Sequence, residues 1–135
     1  MTLTAADVPL ERPTVLVADD EVALTDSIAV WLSDSYRVRT AYDGHEALRE
    51  FGPSVDIVLI DRHMPGLSGE HVMARLNEMS TNPQAALLTA TSTDDFRSEV
   101  DELGFDAYLT KPISKTELLG VVSDLAAAAS ESAQH

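Results

Sequence analysis

The sequence predicts an α/β fold built on a doubly wound, five-stranded parallel sheet. Two observations carry this. Short apolar runs alternate with helical patterns five times along the chain, and short connections in such an alternation bring successive strands into one parallel sheet. The first and third strands are nearly all apolar, as strands are when helices cover both faces of a sheet.

The elements follow in order. The opening stretch MTLTAADVPLERP has no basic n-region and no apolar h-region, which argues against a signal peptide; residues 1–12 read as a flexible tail. The first strand, Thr14–Ala18, leads straight into Asp19, Asp20 and Glu21. The first helix spans Val22–Ser33, with Ala23, Ile28, Val30, Trp31 and Leu32 as its apolar side. The second strand is Arg37–Ala41 and the second helix Gly44–Phe51, capped by Asp43. The third strand, Asp56–Ile60, delivers Asp61; the third helix, Ser68–Met79, carries Val72, Met73, Leu76 and Met79 at helical spacing. Ala85–Thr89 form the fourth strand. The fourth helix, Asp94–Leu103, has Thr93 or Asp94 as its cap and Gly104 where a left-handed C-cap is usual. The fifth strand is Ala107–Thr110. The fifth helix, Lys115–Ala128, starts at Ser114, and Glu117 completes a capping box. Residues 128–135 read as a second flexible tail, leaving one domain over 13–127.

Composition narrows the function. With 135 residues, 44% of them hydrophobic, the chain can bury a core of its own. There is no Cys, so a disulfide framework, a thiolate metal site and a Cys nucleophile are excluded. No apolar stretch approaches the ~20 residues that span a bilayer, and the expectation is a soluble cytoplasmic protein with no membrane partner. A formal charge of −14, from 23 acids against 9 bases, argues against direct nucleic-acid binding, which needs a positive face. Only two lysines occur, Lys111 and Lys115. So acidic and Lys-poor a balance resembles proteins of salt-loving organisms; an ordinary acidic protein is the alternative.

In open parallel sheets, ligands bind beyond the carboxyl ends of the strands. Those ends here carry Asp19 and Asp20, then Asp61, then Thr89, then Lys111. Singly, each has an ordinary explanation: a helix cap, a strand-to-helix turn, a β-former, a solvated charge. Together they suit phosphoryl transfer through a divalent cation. Mg²⁺ takes hard oxygen ligands, commonly one or two carboxylates with waters and phosphate oxygens. Asp20 and Asp61 would bind it directly, and Asp19 directly or through water. A carboxylate can also serve as nucleophile, and Asp61, alone at the end of the middle strand, is best placed. Lys111 and Thr89 would then meet the charge on the phosphoryl oxygens.

The stretches VLVADDE, LIDRHMPGLSG, LLTA and YLTKPI, in that order, resemble the receiver domain of two-component response regulators, the CheY-like family, over about Thr14 to Leu125. The segment GFDAYLTKP, with the acidic balance, resembles the haloarchaeal members. The resemblance implies a (βα)5 flavodoxin-like sheet of strand order 2-1-3-4-5. It implies Asp61 as phosphoacceptor, charged by a sensor histidine kinase or a phosphotransfer protein. It also implies Mg²⁺ held by Asp19, Asp20, Asp61 and the His63 main-chain carbonyl. Thr89 and Tyr108 would be the switch pair, Lys111 the cation at the phosphoryl group, and Lys111-Pro112 a cis peptide. Phosphorylation would remodel the face of the fourth helix, fifth strand and fifth helix, the surface for an unidentified downstream target or a homodimer. Such a domain is a signalling switch and not an enzyme in the ordinary sense, though it catalyses its own phosphorylation and dephosphorylation. His63 and Thr91 stand where members vary, flanking the path of the water that removes the phosphoryl group.

Three other readings compete. A small-molecule phosphatase with an Asp nucleophile usually has a second acid two residues on, where His63 stands. A serine hydrolase is suggested by Gly66-Leu67-Ser68-Gly69, but the nucleophile elbow needs Gly at the position of Glu70. A pseudo-receiver typically lacks one of the acids or the lysine, all of which are present. No other His lies at zinc spacing from His63, and His45, His71 and His135 read as surface residues.

Overall fold

The computed structural model describes residues 12–79, 82–90 and 101–133. Among them the elements run β1 (Thr14–Ala18), α1 (Val22–Leu32), β2 (Arg37–Ala41), α2 (Gly44–Glu50), β3 (Ile57–Asp61), α3 (Gly69–Glu78), β4 (Gln84–Thr89), β5 (Ala107–Thr110) and α4 (Lys115–Ala133). Helix α4 is thus the fifth helix expected from sequence. Thr93, Asp94 and most of the expected fourth helix lie outside the described residues. Its last residues, Asp101 and Glu102, are helical, and Gly104 follows at φ 89, a conformation that costs a residue without a Cβ little.

All strand pairs are parallel and the order is β2-β1-β3-β4-β5. The side-chain period of two splits the strands cleanly between two cores. Leu16, Ala18, Val58, Ile60, Ala85 and Leu87 pack with Ala47 of α2 and with Val72, Met73 and Leu76 of α3. Val15, Val17, Ile57, Leu59, Ala86 and Leu88 pack with Ile28 and Leu32 of α1 and with Leu118, Val122 and Leu125 of α4. Strands β1 and β3 are buried at every position, whereas β2 at the sheet edge exposes Arg37 and Arg39. Helices on both faces explain the unbroken apolar runs.

Local signals act largely as expected. The Glu46 N–H donates to Asp43 Oδ1 at 2.7 Å, and Glu46 Oε1 accepts the Tyr42 N–H at 2.6 Å, a reciprocal cap on α2. Ser114 Oγ accepts the Glu117 N–H at 3.1 Å. Three expectations need correction. In α1 the buried stripe is Thr25, Ile28 and Leu32, while Ala23 is exposed and Val30 is 69% exposed. At 3.6 residues per turn, position 30 lies opposite position 28. Met79 falls just past α3, on extended backbone, and is exposed. Helix α4 continues to Ala133, so residues 128–133 of the expected tail are helical. The run AAAASESA holds no Gly or Pro to stop a helix. No described helix is long and apolar enough to cross a membrane.

Candidate functional site

Strand β1 carries the acids to the rim, and a set of hydrogen bonds fixes the turn that follows. The Asp19 N–H donates to the Ala41 carbonyl at 3.1 Å, extending the β1–β2 ladder by one residue. Thr25, buried in the first turns of α1, lies with its hydroxyl 2.8 Å from the Asp19 carbonyl and 3.1 Å from that of Glu21. Asp19 Oδ1 accepts the Glu21 N–H at 2.9 Å. Asp19 is therefore fully buried, while Asp20 and Glu21 are exposed. Neither Asp19 nor Asp20 acts as the N-cap of α1; Glu21 occupies that position, with no side-chain capping bond.

Strand β3 holds Asp61 as its last residue, in register with Leu88 of β4. The strand is shifted one residue beyond the expected Asp56–Ile60, so the Asp61 backbone belongs to the sheet itself. The loop behind it is drawn tight by the Gly69 N–H, which donates to the Arg62 carbonyl at 2.9 Å. A Cβ at Gly69 would collide with the Asp61 main-chain oxygen, so this position needs glycine for close approach.

Strand β5 delivers Lys111. Thr89 and Thr110 are partners in the β4–β5 register, and the Lys111 N–H donates to the Thr89 carbonyl at 2.7 Å. The Lys111-Pro112 peptide is cis. The ammonium lies 2.8 Å from Asp19 Oδ2, 2.9 Å from Glu21 Oε1 and 3.2 Å from Asp61 Oδ1. Thr89 is buried, and by alternation it shares the sheet face of Ala85 and Leu87, against whose cluster Tyr108 packs half-buried.

These charges act on one another. Burial, and then the Asp19 carboxylate, push the Asp61 carboxyl up to about 6 against the pull of Lys111. Burial works against the Lys111 ammonium, but Asp19, Glu21 and Asp61 together outweigh it and hold its affinity for the proton above the usual lysine range.

Asp19, Asp20 and Asp61 each offer a carboxylate oxygen, and these lie within 4.8 Å of one another. Among the described residues, Asp19 Oδ2 is a buried side-chain oxygen left without a hydrogen-bond donor. Lys111 stands 2.8 Å from it but outside hydrogen-bond direction, so its charge is compensated while a lone pair stays open. Three hard donors with an open lone pair on the buried one fit a divalent cation such as Mg²⁺.

The structure thus brings together Asp19, Asp20, Asp61 and Lys111, with Thr89 joined to Lys111 through the backbone. His63 is exposed, as are His45 and His71; Thr91 and His135 lie outside the described residues. Thr25 was not singled out from sequence, and Gly69 was named there only within the Gly66-Leu67-Ser68-Gly69 turn. A Thr four residues after Glu21 could have signalled the first, since a helical Thr can bond the carbonyl four residues back.

Residues 15–123 match the family model of the response regulator receiver domain. A protein of Haloferax volcanii that carries the name of a transcriptional regulator is 39% identical over 112 residues, 82% of this chain and 19% of that protein. The transcriptional regulatory protein CutR of Streptomyces coelicolor is 35% identical over 113 residues, 82% of this chain and 52% of CutR. The chain therefore spans about half or less of these curated relatives. The crystal structure of a CheY-like receiver domain protein from Methanospirillum hungatei superposes with a TM-score of 0.83, covering 90% of this chain and 99% of that one; at 20% identity it shows the shared fold. The chain belongs to the response regulator receiver domains, a family whose signalling depends on phosphoryl groups received from histidine kinases.

Proposed function

We propose that this domain is a phosphorylation-activated switch in which Asp61 accepts the phosphoryl group in a Mg²⁺-dependent reaction. The observation that carries this reading is the buried Asp61 carboxylate, set beside Asp19 and Asp20 and 3.2 Å from Lys111. The phosphoryl donor is a sensor histidine kinase or a phosphotransfer protein. An Asp61 carboxylate oxygen attacks phosphorus, the bond from phosphorus to the donor atom breaks, and its electron pair leaves with the donor. An acyl phosphate on Asp61 results. Asp19, Asp20, Asp61 and the His63 carbonyl would hold Mg²⁺, which neutralises charge on the phosphoryl oxygens when bound. Lys111 supplies a second cation. Hydrolysis reverses the change, and the chain is the substrate of both steps.

The Thr89 hydroxyl then turns toward a phosphoryl oxygen, and Tyr108 fills the space it leaves. That exchange remodels the surface around β5, α4 and the segment before β5, where a downstream target or a second copy would bind. Moving between two such states takes only a few kcal/mol of differential stabilisation.

The test is incubation with acetyl phosphate and Mg²⁺, read by intact mass. The wild type gains one phosphoryl group that hydroxylamine removes, and Asp61→Asn gains none. Labelling of Asp61→Asn at the wild-type rate overturns the assignment.

A further inference from the structure

We propose that Glu21 is a positioning residue that competes with the phosphoryl group for Lys111, an inference that rests on Asp61 being the acceptor. Two observations point to it. Glu21 holds the N-cap position of α1 yet makes no capping bond with its side chain, although a side-chain acceptor there ordinarily takes one of the helix's free N–H groups. Its carboxylate instead reaches across to accept a hydrogen bond from Lys111 Nζ at 2.9 Å.

The ammonium has three N–H donors and no more. Three carboxylates already surround it, from Asp19, Glu21 and Asp61, all within 3.2 Å. Of the three, Glu21 is the one that takes a hydrogen bond from the ammonium, so a phosphoryl oxygen arriving at Asp61 competes with these carboxylates for its charge and its donors. Asp19 cannot move away, because it is fully buried and its other oxygen holds the Glu21 N–H. Asp61 carries the new group itself. Glu21 is 62% exposed at its side chain, so water can replace Lys111 as its partner at little cost. Glu21 therefore holds Lys111 in the resting state and gives it up as the phosphoryl group is captured.

The sequence contains only two lysines, Lys111 and Lys115, so protein made with isotope-labelled lysine gives two side-chain NMR signals. In the absence of any phosphoryl donor, Glu21→Gln moves the Lys111 signal and leaves that of Lys115 in place. With acetyl phosphate and saturating Mg²⁺, Glu21→Gln is phosphorylated about two- to fivefold faster than wild type, the scale of one partly exposed ion pair. Made in a Lys111→Ala background, the same substitution changes the rate little, because the competition has lost its object. A Lys111 signal unmoved by Glu21→Gln overturns the contact. Equal acceleration in both backgrounds overturns the competition, since Glu21 would then act only by repelling the incoming anion. A wild type that takes no phosphoryl group, with the Lys111 signal still moved, overturns the Asp61 reading and leaves Glu21–Lys111 a static ion pair.

Discussion

Asp61 Oδ1 and Lys111 Nζ stand 3.2 Å apart, yet the Asp61 carboxyl is still pushed up to about 6, because burial and the neighbouring Asp19 outweigh the lysine. In the metal-free protein this carboxylate works against folding. Between about pH 4 and pH 6 the native state keeps a proton that the unfolded chain has released, so stability falls as pH rises through that window. Above it the cost is constant. Asp61→Asn is expected to raise stability at pH 7 in the presence of a chelator by about 1–2 kcal/mol, and the gain should shrink toward zero at pH 4. Paired melting curves across that range check it, and a gain that does not vary with pH would contradict it.

Mg²⁺ should relieve the same strain among the acids. Titration at constant ionic strength is expected to raise the melting temperature of wild type and of Glu21→Gln, but not of Asp20→Asn. Trp31 is a poor reporter, since it sits in the last turn of α1, about 15 Å along the helix from Glu21 at 1.5 Å per residue. Backbone NMR shifts of residues 19–21 and 61–63 are the better measure. Equal binding by wild type and Asp20→Asn would remove Asp20 from the metal set.

Gly69 offers a test of how the acceptor is held. Its approach to the Asp61 main chain leaves no room for a methyl group, so Gly69→Ala forces the β3–α3 loop away from the strand. The expected loss is about 2 kcal/mol or more, read as a lower denaturant midpoint. Phosphorylation by acetyl phosphate should slow as well, because the nucleophile moves with its backbone.

Thr89 joins the site through the Lys111 N–H and shares a sheet face with the cluster around Tyr108. Thr89→Ala should accept the phosphoryl group and respond poorly to it. The comparison is of backbone NMR shifts over residues 101–112 before and after phosphorylation. Large shifts in wild type and small ones in Thr89→Ala are expected; the same large shifts in both would exclude the hydroxyl as the trigger.

The net charge of −14 makes a prediction independent of the site. Self-repulsion disfavours the compact state, and screening shortens from about 10 Å at 0.1 M salt to about 3 Å at 1 M. The melting temperature should climb steeply with KCl, and this response should survive in an Asp19→Asn, Asp20→Asn double variant that has lost the Mg²⁺ increment. A flat response would refute adaptation to salt and leave the receiver assignment standing.

The order of elements, the doubly wound sheet and the residues at its rim were legible in the sequence because each depends on neighbours a few positions away. Short apolar runs and helical periods decide which segments become strands or helices, and the end of a strand is at the rim wherever the strand sits. Asp61, Lys111 and Thr89 could therefore be named from the runs that precede them. Only the tertiary structure decided which of these groups touch. Glu21 meets Lys111 across the rim of the sheet, a contact between residues 90 positions apart that no local period encodes. The open lone pair on Asp19 Oδ2, the Thr25 hydroxyl under the acidic turn and the contact of Gly69 with the Asp61 backbone arise the same way. Even within α1, the sequence left Val30 and Leu32 equally apolar, and packing against β1 and α4 decided that Leu32 is buried and Val30 faces water.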